Sequence, residues 1–538
     1  MAVVLAQVSD TLLLVDPDTG ATEALTLPDS VTIDVTKKPS IATLKLGAII
    51  VNSPSRNLML TAARTLILLA PSKPSSALVA AVGAGGVLTG DYQYAFSFVR
   101  KDANDNVVTE SAMAALSNTV ALTADQASLT SIDVSTDTDT VTGRRLYRTL
   151  SGGAILYHLA DIDDNSTTIY TDNAADASLS ILPQNSHRTS EVPGTNESDE
   201  FQLRLVVSWK NRLWAFSDDP DNLDHILYTE DGLPYQWGNE LVAYPEGQEL
   251  HGVVGLLPRR DQLGVVKHSG LWQVTGDSDL SFRIVQIAFG LGGMLSAQSG
   301  VVVNDEAFYH GPEGVNLWND SGVRCVSDSA GVRPWFMTDR YFERAQFPNS
   351  FGKYNPILNQ YELHLIEAGE SVSQVWIAYN RDSKGFFGIH RTGLADFSCG
   401  TSVENADGIS RVLVGGSAGQ MYTLTPDTFH DGTVTPIALS VLTAKYNGGD
   451  PTGEYLWGEV STLTRPETTG FLTITAEIGR LDASTQSAQM LADLTQEYVR
   501  HRRIGVGTTV QLTFTEASLN QKVSILGFDV PVLWKTKR

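Results

Sequence analysis

The stretch HSGLWQVTGD, residues 268–277, decides the fold, because the chain repeats it. KNRLWAFSDD begins at Lys210, EGVNLWNDSG at Glu313 and AGQMYTLTPD at Ala418, with a looser copy, SDTLLLVDPDTG, at Ser9. Each copy has a short polar turn, a bulky apolar or aromatic pair, alternating residues and an Asp- or Gly-bearing turn. That is the pattern of a strand held between hairpin turns. Trp214, Trp272, Trp318, Trp376 and Tyr422 follow one another at intervals of 58, 46, 58 and 46 residues. A period near fifty without helices fits the blades of a β-propeller, about 40–50 residues each. A blade is a four-stranded sheet whose faces its neighbours must cover, and aromatics at equivalent positions can fill the wedge between blades. The pattern predicts that Leu213-Trp214, Leu271-Trp272, Leu317-Trp318 and Met421-Tyr422 occupy equivalent strands of about six to eight blades. Chance recurrence of such segments in an all-β chain is the competing explanation.

Composition agrees with an all-β fold. The 538 residues exceed one ordinary core. Hydrophobic residues make up 42% and charged residues 18%, a folded composition with a rather uncharged surface. Abundant Gly, Thr, Ser and Val favour strands and tight turns over helices. The formal charge of −23 disfavours gripping nucleic acid by its phosphates, which needs Lys and Arg, and disfavours an anionic membrane surface. Two cysteines, Cys325 and Cys399, cannot make a disulfide framework and are expected to be small buried hydrophobes. No apolar run is long enough for a membrane helix. The start, MAVVLAQVSDTLLLVDPD, lacks a basic segment and meets Asp10 early, so it is not expected to be a signal peptide. Synthesis in a reducing cytosol is the expectation.

The blade-like segments are interrupted. PSKPSSALVAAVGAGGVLTG, residues 71–90, reads as a Pro-, Ser- and Gly-rich hinge. Beyond it Tyr92, Tyr94, Phe96 and Phe98 alternate onto one face, and KDANDN is a hairpin turn. VTGRRLYRTLSGGAILYHLADI and STTIYTDNAAD supply three more strands. Some hundred residues of this kind predict an immunoglobulin- or fibronectin-like sandwich, with Tyr147 in or beside its core. The organisation expected is propeller over 1–74, inserted sandwich over 75–195, propeller again over 196–435, and a C-terminal β-module or propeller completion over 436–538. Residues 485–500 read equally as helix or irregular edge strand.

No stretch carries a convincing active site. GAGGVLTG lacks the Lys-Ser/Thr ending of a phosphate loop. Asp161, Asp163, Asn165 and Asp172 sit at calcium-loop offsets, but Ser166 stands where the sharp turn wants Gly. The ten histidines show no metal-ligand spacing. SDSAGVRPW and NRDSKGFFG approach the Asp boxes of propeller glycosidases but miss their spacing. No catalytic, cofactor-binding or metal residue is assigned, and the chain is read as a non-enzyme.

Several stretches together resemble a known family. RRLYRTLSGGAILYHLADIDDNSTTIYTDNAADASL resembles the fibronectin-like insertions of bacteriophage tail proteins. KKPSIATLKLGAIIVNSPSRNLML and RLVVSWKNRLWAFSDDPDNLDHILYTEDGLPYQWG resemble the propeller of tail nozzle, or hub, proteins of short-tailed phages, also called stabilisation proteins. The ending, from Tyr498, resembles the closing β-module of phage virion proteins. The resemblance covers most of the chain, is one of style, and brings no catalytic residues.

The resemblance implies a structural virion protein of the phage tail, made in the host bacterial cytoplasm. It implies a homo-oligomeric ring, usually of six copies, that forms a channel for genome retention and ejection. Expected partners are adaptor or portal-proximal proteins, tail fibres or spikes, and DNA passing without specific binding. Acidic loops suit such a wall because carboxylates do not trap DNA by counterion release. Candidate wall residues are Asp218, Asp219, Asp221, Asp224, Glu197, Asp199 and Glu200. Candidate protein-docking basic residues are Arg500, Arg502, Arg503, Lys535, Lys537 and Arg538. A receptor-binding tail adhesin and a polysaccharide-degrading propeller enzyme are the alternatives.

Overall fold

The computed structural model describes residues 3–28, 31–45, 47–138, 140–179, 202–243, 252–329, 331–391, 396–405, 407–416, 418–424, 430–431, 435–436, 439–443, 445–447, 454–464, 466–467, 470–480, 484–516 and 525–536. The chain divides into two compact units, 1–390 with 397–424, and 391–396 with 425–538.

Among the described residues the first unit contains a β-propeller of seven antiparallel sheets in chain order. Blade 1 is Val4–Val8, Thr11–Val15 and Thr22–Ala24, and blade 2 is Ser40–Leu44, Gly47–Val51, Leu58–Thr61 and Leu66–Leu68. Blade 3 is Leu203–Trp209, Arg212–Ser217, His225–Glu230 and Leu233–Val242. Blade 4 is Val253–Pro258, Leu263–Lys267, Gly270–Thr275 and Arg283–Phe289. Blade 5 is Val301–Val303, Glu306–Gly311, Gly314–Asn319 and Gly322–Cys325. Blade 6 is Phe351–Asn355, Gln360–Leu365, Val375–Asn380 and Gly385–Arg391, and blade 7 is Phe397–Glu404, Ser410–Gly416 and Met421–Leu424. From blade 2 to blade 7 the first strands of successive blades touch, so they are the inner strands.

Alternation makes each blade apolar on both faces, and neighbours bury them in turn. Leu12 and Leu14 meet Ile50 and Leu68 between blades 1 and 2. Trp214 and Tyr228 meet Val265 and Trp272 between blades 3 and 4, while Leu271 faces the other way onto Tyr309 and Trp318 of blade 5. Each such side chain contributes about 1.5–3 kcal/mol on burial. At the ends of the strands, charged groups clamp one blade to the next. Lys210 pairs with Asp261 and Asp277, Arg212 with Asp279, Arg259 with Asp305 and Asp320, and Arg381 with Glu306. Many carboxylates of this acidic chain are therefore engaged.

The ring closes between residues almost four hundred positions apart. Asn405 donates to both carboxylate oxygens of Asp18 at 2.9 and 3.0 Å, and Arg411 pairs with Asp18 at 3.1 Å. Lys38, just before blade 2, donates to the Ser398 carbonyl of blade 7 at 2.7 Å. Asp18 and Arg411 are each about one-third exposed, so screening keeps this pair modest. Asp18→Ala should lower stability by about 1 kcal/mol in denaturant unfolding. An unchanged midpoint would show that the apolar wedges alone hold the ring shut.

The repeat is real but one of its members is misplaced. Trp272, Trp318, Trp376 and Tyr422 all lie on third strands, whereas Trp214 lies on the second strand of blade 3. The prediction of equivalent strands therefore fails for Leu213-Trp214. The third-strand aromatic of blade 3 is Tyr228, directly opposite Trp214 and stacked on it at 4.5 Å. Counted from Tyr228, the first interval is 44 residues rather than 58, close to the 46 that follows. Trp272, at 2% exposure, is a wedge residue and not a binding aromatic.

The inserted sandwich packs four strands on three. Val107–Glu110, Tyr94–Lys101, Gly143–Thr149 and Leu156–Ile162 form one sheet in that spatial order, and Tyr170–Asp172, Val120–Thr130 and Val79–Tyr92 the other. Tyr92, Tyr94, Phe96 and Phe98 lie in its core with Leu122, Leu129 and Leu146, and Tyr147 in a small adjoining cluster. The supposed hinge is largely strand: residues 79–92 form the longest strand, and Gly86 lets its backbone approach Asp125 where a Cβ would meet the carbonyl at 2.4 Å. The sandwich docks on outer strands of the propeller. Thr109 Oγ1 donates to the Leu69 carbonyl at 2.6 Å, and Val108 packs against the cluster containing Met59, Leu203 and Trp237.

The second unit combines Arg391–Asp396 with Thr425–Arg538, and its two larger sheets pack as a sandwich. Leu439–Leu442, Thr509–Glu516, Phe471–Gly479 and Thr485–Asp493 form one sheet. Tyr498–Gly507, Glu454–Thr464 and Ile525–Asp529 form the other, with Val532–Thr536 also on Glu454–Thr464. Tyr455, Trp457, Leu472, Ile474, Leu512 and Phe514 fill the space between. The segment 485–500 is an edge strand, Thr485–Asp493, a turn, and the start of the next strand at Tyr498: Met490 and Ala492 are buried, alternating with exposed Gln489 and Leu491.

Candidate functional site

The inner strands of blades 5, 6 and 7 line an open cavity of about 380 Å³, bordered by Val301–Val303, Asn304, Gly352, Lys353, Tyr354, Gly400, Thr401 and Ser402. The close approach of these strands depends on small residues. A Cβ at Gly400 would lie 2.8 Å from Lys353 Cδ, and one at Gly352 would lie 2.4 Å from the Ser299 carbonyl. Hydroxyls, an amide and one ammonium line the cavity, and no carboxylate or imidazole does. Glycoside hydrolysis needs two carboxyl groups about 5–9.5 Å apart across the bond to be cut, and this cavity supplies neither.

Its one charged group is already committed. Lys353, at 2% exposure, donates to Glu362, whose other oxygen accepts from Asn355 Nδ2 at 2.8 Å. Burial pushes the Lys353 ammonium below its ordinary pKa, and the facing Glu362 charge opposes that shift. Behind it an aromatic stack runs Phe351, His364, Trp376, His390, with centroid spacings of 4.3, 5.5 and 5.3 Å, its last two members half-buried. Burial, then the charges of Lys353 and His390, hold His364 well below the usual histidine range. At 1% exposure His364 serves as a packing imidazole in this stack.

The acidic loop chosen from sequence lies between the second and third strands of blade 3, against the starts of the inner strands of blades 3 and 4, where the Leu223 carbonyl accepts from Val253 N at 3.0 Å. Asp218 accepts from the Gln202 amide at 2.6 Å, and Asp219 holds the turn through Asp221 N and Asn222 Nδ2 at 3.0 and 2.6 Å. Asp224 is an ion-pair partner: Lys267, wholly buried, donates to it at 2.5 Å and to the Ala243 carbonyl at 2.6 Å. Asp221 is exposed. Sequence reasoning missed this because the partner lies 43 residues on. Glu197, Asp199 and Glu200 lie outside the described residues.

Of the basic residues, Arg500, Arg502 and Arg503 fall on Tyr498–Gly507 and Lys535 on Val532–Thr536, two strands that both pair with Glu454–Thr464. Folding thus places Lys535 on the same sheet as Arg500, Arg502 and Arg503. Arg500 is engaged locally, its Nε donating to Tyr498 Oη at 3.2 Å. Lys537 and Arg538 lie outside the described residues.

The calcium-like run is turned to protein cations. Asp161 is held by Arg145 at 2.8 Å and by Lys101 at 2.9 Å, and Asp163 by Lys101 at 2.7 Å. Asn165 bonds the Ser135 backbone, and buried Asp172 pairs with Arg148 at 2.6 Å. Among the described residues no group of three or more His, Cys, Asp or Glu is placed to hold a metal. Cys399, expected to be buried, is exposed on the inner strand of blade 7, and Cys325 is half-buried; both are free thiols. A register shift between Phe397 and Cys399 breaks the alternation of Phe397–Glu404, so that Phe397 packs into the wedge while Cys399 and Thr401 are exposed.

No family model and no curated protein matches the chain. Among solved structures it is similar to an exo-β-1,3-galactanase from Phanerochaete chrysosporium, at 11% identity and TM-score 0.21, covering 82% of this chain and all of that one. It is also similar to PorZ of Porphyromonas gingivalis, at 10% identity and TM-score 0.27, covering 96% and 80%. The N-terminal domain of Nup159 matches at 9% identity and TM-score 0.25, covering 65% and 96%. Similarity at this level lies in β-rich architecture and carries no activity to this chain.

Proposed function

We propose that this chain is a structural, non-enzymatic virion protein, the nozzle or hub ring of a bacteriophage tail, through which the genome is retained and released. The observation that carries this reading joins the two stretches resembling nozzle propellers. They are far apart in sequence, yet they form adjacent blades 2 and 3. Ser40 Oγ and Val206 N meet at 3.0 Å, and Ser208 Oγ donates to the Thr43 carbonyl. The insertion that separates them sits on the outer strands and leaves the blade contact intact. The buried state of Trp214, Trp272 and Trp318 weighs against an adhesin built on a sugar groove of these aromatics.

In this reading the bore lies between copies, with adaptor proteins and fibres or spikes docking on the ring. Exposed Asp221 is the best-placed member of the blade 3 loop for a wall that repels DNA within one Debye length, about 8–10 Å. The full-length chain should form a closed ring of several copies, six by resemblance, in light scattering and electron microscopy. Antibody labelling should place it at the tail of the assembled particle. A chain that stays monomeric and is absent from particles would overturn the reading.

A further inference from the structure

Two lysines are buried among the described residues, Lys267 and Lys353. Lys267 gives its hydrogen bonds to Asp224 and to a backbone carbonyl. Lys353 has different company. It donates to one oxygen of Glu362, its cross-strand partner in blade 6, and the other oxygen accepts from Asn355 Nδ2 at 2.8 Å. One carboxylate thus holds an amine and a side-chain amide together, with Lys353, Asn355 and Glu362 at 2%, 5% and 3% exposure. Residues two apart on a strand share a face about 6.5–7 Å apart, a gap that a lysine stem spans.

The amide is prepared at its oxygen as well. Asn355 Oδ1 accepts from Ile357 N and Leu358 N, both at 3.2 Å. Paired N–H donors on a carbonyl oxygen stabilise the oxyanion that forms when a nucleophile adds to its carbon. The residue after Asn355 is Pro356, which has no N–H to close the succinimide ring that ordinarily consumes asparagine side chains. Burial lowers the Lys353 pKa and so favours the neutral, nucleophilic amine.

We infer that Lys353 and Asn355 join in a self-catalysed amide cross-link, with Glu362 relaying the protons. Glu362 first takes a proton from the Lys353 ammonium. The freed Nζ lone pair forms a bond to Asn355 Cγ, and the carbonyl electrons move onto Oδ1 between the two N–H groups. As the carbonyl re-forms, the Cγ–Nδ2 bond breaks and its electron pair leaves with the nitrogen. Of the three ammonium protons, one stays in the new amide, one departs with Nδ2 as ammonia and one ends on Glu362. Glu362 is therefore left neutral rather than as an unpaired buried charge. The open cavity bordered by Lys353 gives the ammonia its way out. No oxidant, reductant or second molecule enters. The product closes a ring within the inner strand of blade 6 and removes a buried ammonium from the propeller.

Trypsin digestion of the folded full-length chain, read by tandem mass spectrometry, tests this, because an acylated lysine is not cut. The parent should give the peptide 345–381 uncut at Lys353 and lighter than its sequence by one ammonia. Fragmentation should place the loss between Lys353 and Asn355. Lys353→Met and Glu362→Gln, shown to be folded by circular dichroism, should give peptides at the full mass of their own sequences. Parent chain captured in urea before it folds should be cut at Lys353 without any loss, a reference that needs no folded variant. A folded parent that is cut at Lys353 into full-mass peptides after prolonged incubation would overturn the cross-link. So would Asn355 hydrolysed to a carboxylate beside a free Lys353. Ammonia loss that persists in folded Glu362→Gln would overturn the relay through Glu362. Loss already present in the urea-captured chain would overturn the dependence on the folded triad.

Discussion

Asp224→Lys should cost more than about 5 kcal/mol, on the order of the whole stability of a typical domain. The Lys267 side chain is wholly buried, and its ammonium lies 4.9 Å from the centre of the Trp272 ring. Its hydrogen bonds go to Asp224 and to the Ala243 carbonyl. Deleting the partner of a buried charge costs about 3–5 kcal/mol, because the remaining ion has left water without compensation. Placing a second ammonium there adds repulsion at low dielectric. The variant should yield little soluble protein and show no cooperative urea transition. Asp221→Lys, on the same loop but exposed, should shift stability by no more than about 0.5 kcal/mol. A soluble Asp224→Lys chain with a loss under about 1 kcal/mol would show that water reaches Lys267. Charge reversal aimed at genome release must therefore leave Asp224 alone, because an ejection defect in that variant would report misfolding.

Acid should destabilise the propeller well before most carboxylates titrate. His310 is fully buried, bonded through Nδ1 to Ser350 Oγ at 2.8 Å and packed 4.6 Å from Phe347. Burial pushes its pKa down from 6.5 to about 3. The folded chain keeps His310 neutral while the unfolded chain takes up a proton, so its stabilisation is complete above pH 6.5. It is lost as pH falls from there through about 3. His310 alone then accounts for about 3 kcal/mol of lost stability by pH 4. His364 and His390 are displaced in the same direction, chiefly by burial, and add to it. The urea midpoint read by tryptophan fluorescence should fall steadily between pH 6.5 and 4.5. His310→Phe should flatten that slope whatever it does to the plateau. A parent midpoint constant across this window would mean that these imidazoles are hydrated in the native state.

The candidate site was less legible than the fold, and the reason is distance along the chain. The acidic run at 218–224 looks like a solvated patch in sequence, yet Asp218, Asp219 and Asp224 each hold part of the scaffold. The calcium-like spacing of Asp161, Asp163 and Asp172 is equally deceptive, because Arg145, Lys101 and Arg148 come from strands elsewhere in the sandwich. The cavity of blades 5, 6 and 7 has no sequence signal, since its lining is gathered from three separated strands. The misplaced Trp214 has a different cause. Second and third strands of one blade are antiparallel neighbours, so an aromatic on either fills much the same wedge, and Trp214 and Tyr228 are direct cross-strand partners.

The sequence by itself determined what is local. Alternation at period two, turn residues such as Lys210-Asn211 and Asn304-Asp305, which take left-handed backbone angles, and a repeat near fifty residues specify strands, hairpins and blades. These depend on sterics and burial within about ten residues. Tertiary structure alone decided what requires the ring to close. It set the number of blades at seven, the pairing of Asp18 with Asn405 and Arg411, and the reach of Lys38 to Ser398. It also decided that the insertion covers the outer strand of blade 2, where Leu68 N–H bonds Thr140 Oγ1. Such contacts join residues hundreds of positions apart, where loop-closure entropy and wedge packing select the partners and no local pattern records the choice.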